Sequence, residues 1–209
     1  MTFDLTQRST APIGRIQTRL HDVRCADAEY RVRLLEATPH ETHPAMTTNA
    51  SQASAHPAEP AALIDHILTR FHEVHRRQLP ELIRQAARVE AVHAEHGAAP
   101  RGLAALLTSM HTELLQHMEK EESILFPMLK RGGTPFVVHP IGVMRTEHEA
   151  HAARLQHVMA LTRNATPPAD ACTTWRQLCA DVRQFANDLQ QHIRLENEVL
   201  FPQFEVRRG

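Results

Sequence analysis

The chain is poor in aromatic residues, which make up 4% of its 209 residues, and in glycine, of which there are seven. A core built from this composition is aliphatic. Alternating Val- and Ile-rich runs are nearly absent, and with so little glycine this argues against sheets and for helices. Cysteine is sparse too: Cys25, Cys172 and Cys179 make an odd number, without a C-x-x-C pair or a secretory hydrophobic region at the start. That excludes a disulfide framework and fits a reducing cytoplasm. No run approaches the ~18 consecutive apolar residues of a membrane span. Charge of one sign is also lacking: the net charge is −1, so nothing marks the chain for nucleic acid or an anionic membrane surface.

What the chain has in excess is histidine, 16 residues. Histidine is the commonest metal ligand among side chains. His40, His43 and His56 fall in residues 37–60, a stretch of Ala, Thr, Ser, His and Pro with almost nothing to bury, and read as solvated. Residues 37–60 are therefore expected to be a disordered linker. Before it, residues 1–36 carry apolar positions at helical spacing (Ile13, Ile16, Leu20, Val23, Tyr30, Leu34) among arginines. Met46 lies within the linker, and a start there would leave a cleaner domain.

From residue 61 four long helical segments follow, roughly 61–95, 103–130, 139–163 and 170–205. Pro80 is expected to kink the first, Gly132-Gly133 to stop the second, and Pro167-Pro168 to start the fourth. Short turns between long helices make antiparallel neighbours, so the expected fold is all-α, an up-down-up-down four-helix bundle spanning 61–205 with an N-terminal extension.

The bundle contains a repeat. HMEKEESILFP begins at His117 and HIRLENEVLFP at His192, and HEVH (72–75) recurs as HEAH (148–151). Each hairpin thus repeats the other, and packing them together relates matched residues by a pseudo-two-fold axis. On a helix, residues four apart share a face, so His117 points with Glu121 and His192 with Glu196. Leu125 and Leu200 continue each stripe, which marks that face as buried. A buried glutamate is costly unless its charge is compensated, and two facing glutamates repel. A cation between them answers both problems.

Imidazole with carboxylate suits iron, zinc, manganese or copper, whereas calcium and magnesium favour oxygen alone. Six converging donors exceed the four of one zinc. They suit two metals, each with two histidines, sharing two carboxylates and an oxide or hydroxide. Iron fits best, being redox-active and tolerant of this mixed shell. The Glu-x-x-His class of di-metal bundle fits poorly, because histidine comes first here and the gap is longer. The H-E-x-x-H signature is absent. Spacing alone does not choose His72 and His148 over His75 and His151. His66, His111 and His157 read as half-exposed helix histidines. Glu73, Glu147 and Glu149 adjoin candidate ligands and read as solvated, with orientation of a ligand imidazole as the alternative. Leu and Phe of the LFP repeats are expected to seal the site, Pro127 and Pro202 to end or kink the helices, and Cys172 and Cys179 to pack.

The segments LIDHILTRFHEVHRRQLPELI, HMEKEESILFPML, TEHEAH, PPADACTTW and HIRLENEVLFP resemble a known family. From about Ala61 to Phe204 the chain resembles the hemerythrin-like di-iron proteins of bacterial nitrosative-stress defence, the iron–sulfur cluster repair proteins or regulators of iron content. The resemblance implies His72, His117, Glu121, His148, His192 and Glu196 as ligands of an oxo- or hydroxo-bridged pair of iron ions. It also implies nitric oxide or another small diatomic ligand and, as clients, damaged iron–sulfur proteins. Two further readings go with it: a nitric oxide sink or regulator without catalysis, and a dioxygen-binding hemerythrin. Many family members carry an adjacent cysteine pair in a small N-terminal domain. Here Cys25 stands alone, which points to the short, nitric-oxide-associated members of denitrifying bacteria.

Overall fold

The computed structural model describes residues 57 and 59–205. The expectations for residues 1–36 and for most of 37–60 lie outside the described residues. Four antiparallel rods form the bundle, three of them interrupted by a π turn. The first is α1 (Pro60–Ile67), a π-helical turn (Leu68–His72) and α2 (Glu73–Val92). The second is α3 (Leu103–Lys120), a π turn (Glu121–Leu125) and α4 (Phe126–Lys130). The third is a short 3₁₀ turn (Pro135–Val137) and α5 (Val138–Leu161). The fourth is α6 (Thr173–Arg194), a π turn (Leu195–Leu200) and α7 (Pro202–Glu205). No strand occurs among the described residues. None of their helices is long and apolar enough to cross a membrane.

Local chemistry explains most of the boundaries. Pro60 occupies the first turn of α1, where its missing N–H costs nothing, and the Glu59 carboxylate accepts from the Ala62 N–H at 2.8 Å. Glu90 of α2 accepts from the Ala104 N–H at 2.8 Å, so one helix caps its neighbour's start. α2 runs on through Pro80 without a break. α6 begins later than the prolines suggest: its first residue is Thr173, and Pro167-Pro168 lie in the preceding turn. That turn holds three consecutive left-handed residues, Arg163, Asn164 and Ala165.

The second rod ends as expected at Gly132-Gly133, where the Gly133 N–H reaches the Met128 carbonyl at 3.0 Å. Gly133 has φ +68°, and a Cβ there would stand 2.8 Å from Phe204 Cδ1. Gly133→Ala is therefore expected to lower stability by about 1–3 kcal/mol, measured by denaturant unfolding.

The π turns account for the LFP repeats. The Phe126 N–H bonds to the Glu121 carbonyl and the Phe201 N–H to the Glu196 carbonyl, five residues back in each case. The following proline has no N–H and would crowd the carbonyl four residues back in a regular helix. A π turn shifts the register just before each proline, and both rods continue beyond it. Pro127 and Pro202 thus do not end the rods.

Two apolar clusters fill the bundle. One gathers Leu79, Leu82, Leu107, Met110, Leu114, Val158, Val182 and Phe185 with their neighbours. The other gathers Leu63, Ile64, Ile67, Phe71, Leu125, Phe126, Ile141, Leu200 and Phe201. On every rod, buried polar residues stand between the two: His72 and His75, His117 and Glu121, His148 and His151, His192 and Glu196. A continuous polar layer crosses the core.

Beside that layer Asp188, 2% exposed, accepts from Arg70 at 2.6 Å and from Gln78 at 2.7 Å and Gln184 at 3.0 Å. Burial alone would raise its pKa, but these donors outweigh it and hold the carboxyl below its usual value. A depressed carboxylate contributes stability above its unfolded pKa and loses it as pH falls through the folded one. Asp188→Asn is expected to cost about 1–3 kcal/mol at pH 7. The difference from the parent should vanish as pH falls through the depressed pKa of this carboxyl; urea titrations at several pH values check this.

Candidate metal centre

All six side chains named from the resemblance meet in the polar layer, each no more than 1% exposed. His72, His192, Glu121 and Glu196 form one group and His117, His148, Glu121 and Glu196 a second, with donor atoms in each within 4.8 Å of one another. The two groups share both carboxylates. Glu121 directs Oε2 toward His72 Nε2 and Oε1 toward His117 Nε2, both at 3.4 Å. Glu196 directs Oε1 toward His192 Nε2 at 3.1 Å and Oε2 toward His148 Nε2 at 3.0 Å. Within each pair the imidazole Nε2 atoms face each other at 3.1 Å. Two donors at right angles on a metal with bonds of about 2.1 Å lie about 3 Å apart, so these spacings match rings converging on a common ion.

The residues fit a cation on chemistry as well. Both oxygens of Glu121 and Oε2 of Glu196 are buried without a hydrogen bond among the described residues. Buried carboxylate oxygens left unpaired are costly. Burial and the nearby Glu196 push the Glu121 carboxyl up. Burial acts the same way on Glu196, but His192 and His148 outweigh it and hold Glu196 well below its usual range. Burial opposes charge on His72 also, yet Glu121 and Glu122 raise it to about 9, whereas burial and His148 bring His117 down to about 3. With Glu121 and His72 both pushed up and Glu196 held ionised, protons stand in the layer in place of the positive charge that a cation would bring.

Around the six, Phe126 stacks on His72 with ring centroids 5.7 Å apart, and Phe201 on His148 at 6.0 Å. These are the LFP phenylalanines expected to seal the site, and both are buried. His75 and His151, the alternatives by spacing, are buried one turn further in, their rings 5.4 Å from His192 and 5.0 Å from His117. His66 and His111 are half-buried and His157 is exposed, away from the layer.

The groups behind the rings were only partly legible. Glu147, read as solvated, accepts from His117 Nδ1 at 2.9 Å and pairs with Lys120, while Glu73 and Glu149 do lie exposed. Glu122 and Asn197 went unnoticed. Glu122 accepts from His72 Nδ1 at 2.7 Å and is fixed by Arg76 at 2.7 Å; Asn197 Oδ1 lies 3.0 Å from His148 Nδ1. Their signal is the matched offset, each following a core glutamate, as E-E at 121–122 and E-N at 196–197. At the far end of the bundle Cys179 packs as expected. Cys172 does not: it is exposed, with its thiol 3.2 Å from His93 Nε2.

Residues 63–204 match the Hemerythrin HHE cation binding domain, and the chain belongs to that family. Among similar proteins is the iron–sulfur cluster repair protein YtfE of Enterobacter sp. (strain 638), 52% identical over 140 residues. The proteins of the same name from Citrobacter koseri and Escherichia coli O1:K1 are 50% and 49% identical over 142 residues. These alignments cover 67–68% of this chain and 64% of each relative, so the chain spans less than two thirds of the relatives it matches.

Proposed function

We propose that this chain is a cytoplasmic non-haem di-iron protein of the nitrosative and oxidative stress response, which binds nitric oxide and supports repair of damaged iron–sulfur clusters. In this reading His72 and His192 hold one iron, His117 and His148 the other, and Glu121 and Glu196 hold both. The observation that carries it is the aim of the two carboxylates, each with one oxygen toward each histidine pair. The name shared by the relatives supports iron–sulfur repair. Iron held there would supply one-electron redox chemistry and open positions for a diatomic ligand.

The protein's own residues do the rest. Phe126 and Phe201 cover the rings of His72 and His148 and keep bulk water out. Glu122, Glu147 and Asn197 hold the protons of three imidazoles on Nδ1, which leaves Nε2 free to face inward. The polar layer lies among apolar neighbours, where a small uncharged gas partitions well and ions do not.

Anaerobic titration with nitric oxide of iron-loaded protein, followed by addition of an oxidatively inactivated [4Fe–4S] dehydratase, tests the reading. Saturable nitrosyl absorption and recovery of dehydratase activity are expected, both lost in Glu121→Ala. Nitric oxide binding without recovery would leave the sink or regulator. Reversible oxygenation in air without either response would favour the dioxygen carrier.

A further inference from the structure

We infer that the two cation positions are unequal, and that the ion between His72 and His192 is the one this protein gives up first. The inference rests on the reading above, in which these six side chains hold two ions. An imidazole that offers its Nε2 lone pair to a cation carries its proton on Nδ1. A buried N–H needs an acceptor. Three of the four rings have one: His72 at Glu122, His117 at Glu147 and His148 at Asn197. His192 Nδ1 is buried and meets no partner among the described residues.

The repeat shows where this difference comes from. His192 stands where His117 stands in the other hairpin, and Glu147, the acceptor behind His117, directly precedes His148. The residue directly preceding His72 is Phe71. Its ring lies flat on His192, with centroids 5.4 Å apart and planes within 6°. The matched position thus carries, in one half, a carboxylate that accepts at Nδ1 and, in the other, a ring that stacks on the imidazole face and offers Nδ1 no acceptor.

Without a cation His192 escapes the penalty through its other tautomer, since Nε2 lies 3.1 Å from Glu196 Oε1 and can donate to it. Binding a cation at Nε2 removes that option and leaves a buried N–H unpaired. The pair His117 and His148 carries no such penalty. Loss of one partner behind a ligand histidine lowers metal affinity about 10- to 100-fold, and that is the expected gap between the two positions. Phe71 and Glu147 are thus positioning residues that set which ion leaves.

The test is the time course of iron removal by ferrozine from reduced, iron-loaded protein under anaerobic conditions. The parent should release its iron in two equal phases whose rates differ at least about tenfold. Glu147→Phe gives the second pair the environment of the first, and should speed the slow phase toward the fast one while leaving the fast phase alone. Glu147→Gln keeps an acceptor and should leave the slow phase within a few fold. Phe71→Glu should slow the fast phase; should it fail to fold, the half-exposed position 147 still decides. Both ions leaving together in the parent, or a slow phase indifferent to Glu147→Phe, overturns the inference alone. Failure of the parent to take up two ions overturns the reading beneath it as well.

Discussion

Glu121→Gln is expected to act in opposite directions on the two forms of the protein. In the metal-free form Glu121 is fully buried, its oxygens unpaired and Glu196 close by. Burial and Glu196 push this carboxyl up, so folding at neutral pH must protonate it; glutamine keeps the shape and removes that cost, so the metal-free variant should be more stable than the parent by about 1–3 kcal/mol. With iron the order reverses. The variant loses the anionic oxygen that reaches both histidine pairs, so it should retain at most one ion and lose the stabilisation that binding confers. Denaturant unfolding with and without iron, beside iron counts, checks this. A purely structural glutamate predicts destabilisation in both forms, and an exposed one predicts no change in either.

Removing the metal from the parent should loosen one end of the bundle more than the other. The apolar clusters are separate, divided by the layer of histidines and glutamates. The cluster around Leu107, Val158 and Phe185 is the larger and lies on long uninterrupted stretches of α2, α3, α5 and α6. The cluster around Ile64, Phe126 and Phe201 is smaller, and its helices α1, α4 and α7 are short and attached through π turns. Ions bridging four rods would tie this end to the rest. Chelation should therefore raise amide exchange at least about tenfold in α1, in residues 121–130 and in residues 195–205, with little change in the far halves of α2 and α3. Uniform loss of protection would show that the layer is no such boundary.

How far the sequence discloses the site depends on whether a partner lies on the same helix. His117 with Glu121 and His192 with Glu196 are four apart on one rod, so helical spacing alone aligns them, and their repetition locates the two hairpins. His72 and His148 could not be separated from His75 and His151 by spacing, because the members of both pairs lie 76 residues apart. The choice came from the resemblance; in the structure the first pair reaches the carboxylates, while the second sits one turn deeper against His192 and His117.

Glu122 and Asn197 escaped because each serves a histidine on another rod, a relation that only packing creates. The π turns were hinted at by Pro127 and Pro202, each six residues after a core glutamate. A proline there reads equally as a helix end or kink, which is how it was expected to act. Boundaries failed where loops hold the answer: the left-handed run at Arg163–Ala165 moves the start of α6 past the prolines to Thr173.

The account depends on two ions held between the same six side chains. Anomalous diffraction at the iron absorption edge, from crystals of the iron-loaded protein, tests this most directly. It should show two peaks, one flanked by His72 and His192, the other by His117 and His148, with Glu121 and Glu196 reaching both. A single peak, or iron bound elsewhere while the six side chains contact only each other, would contradict it.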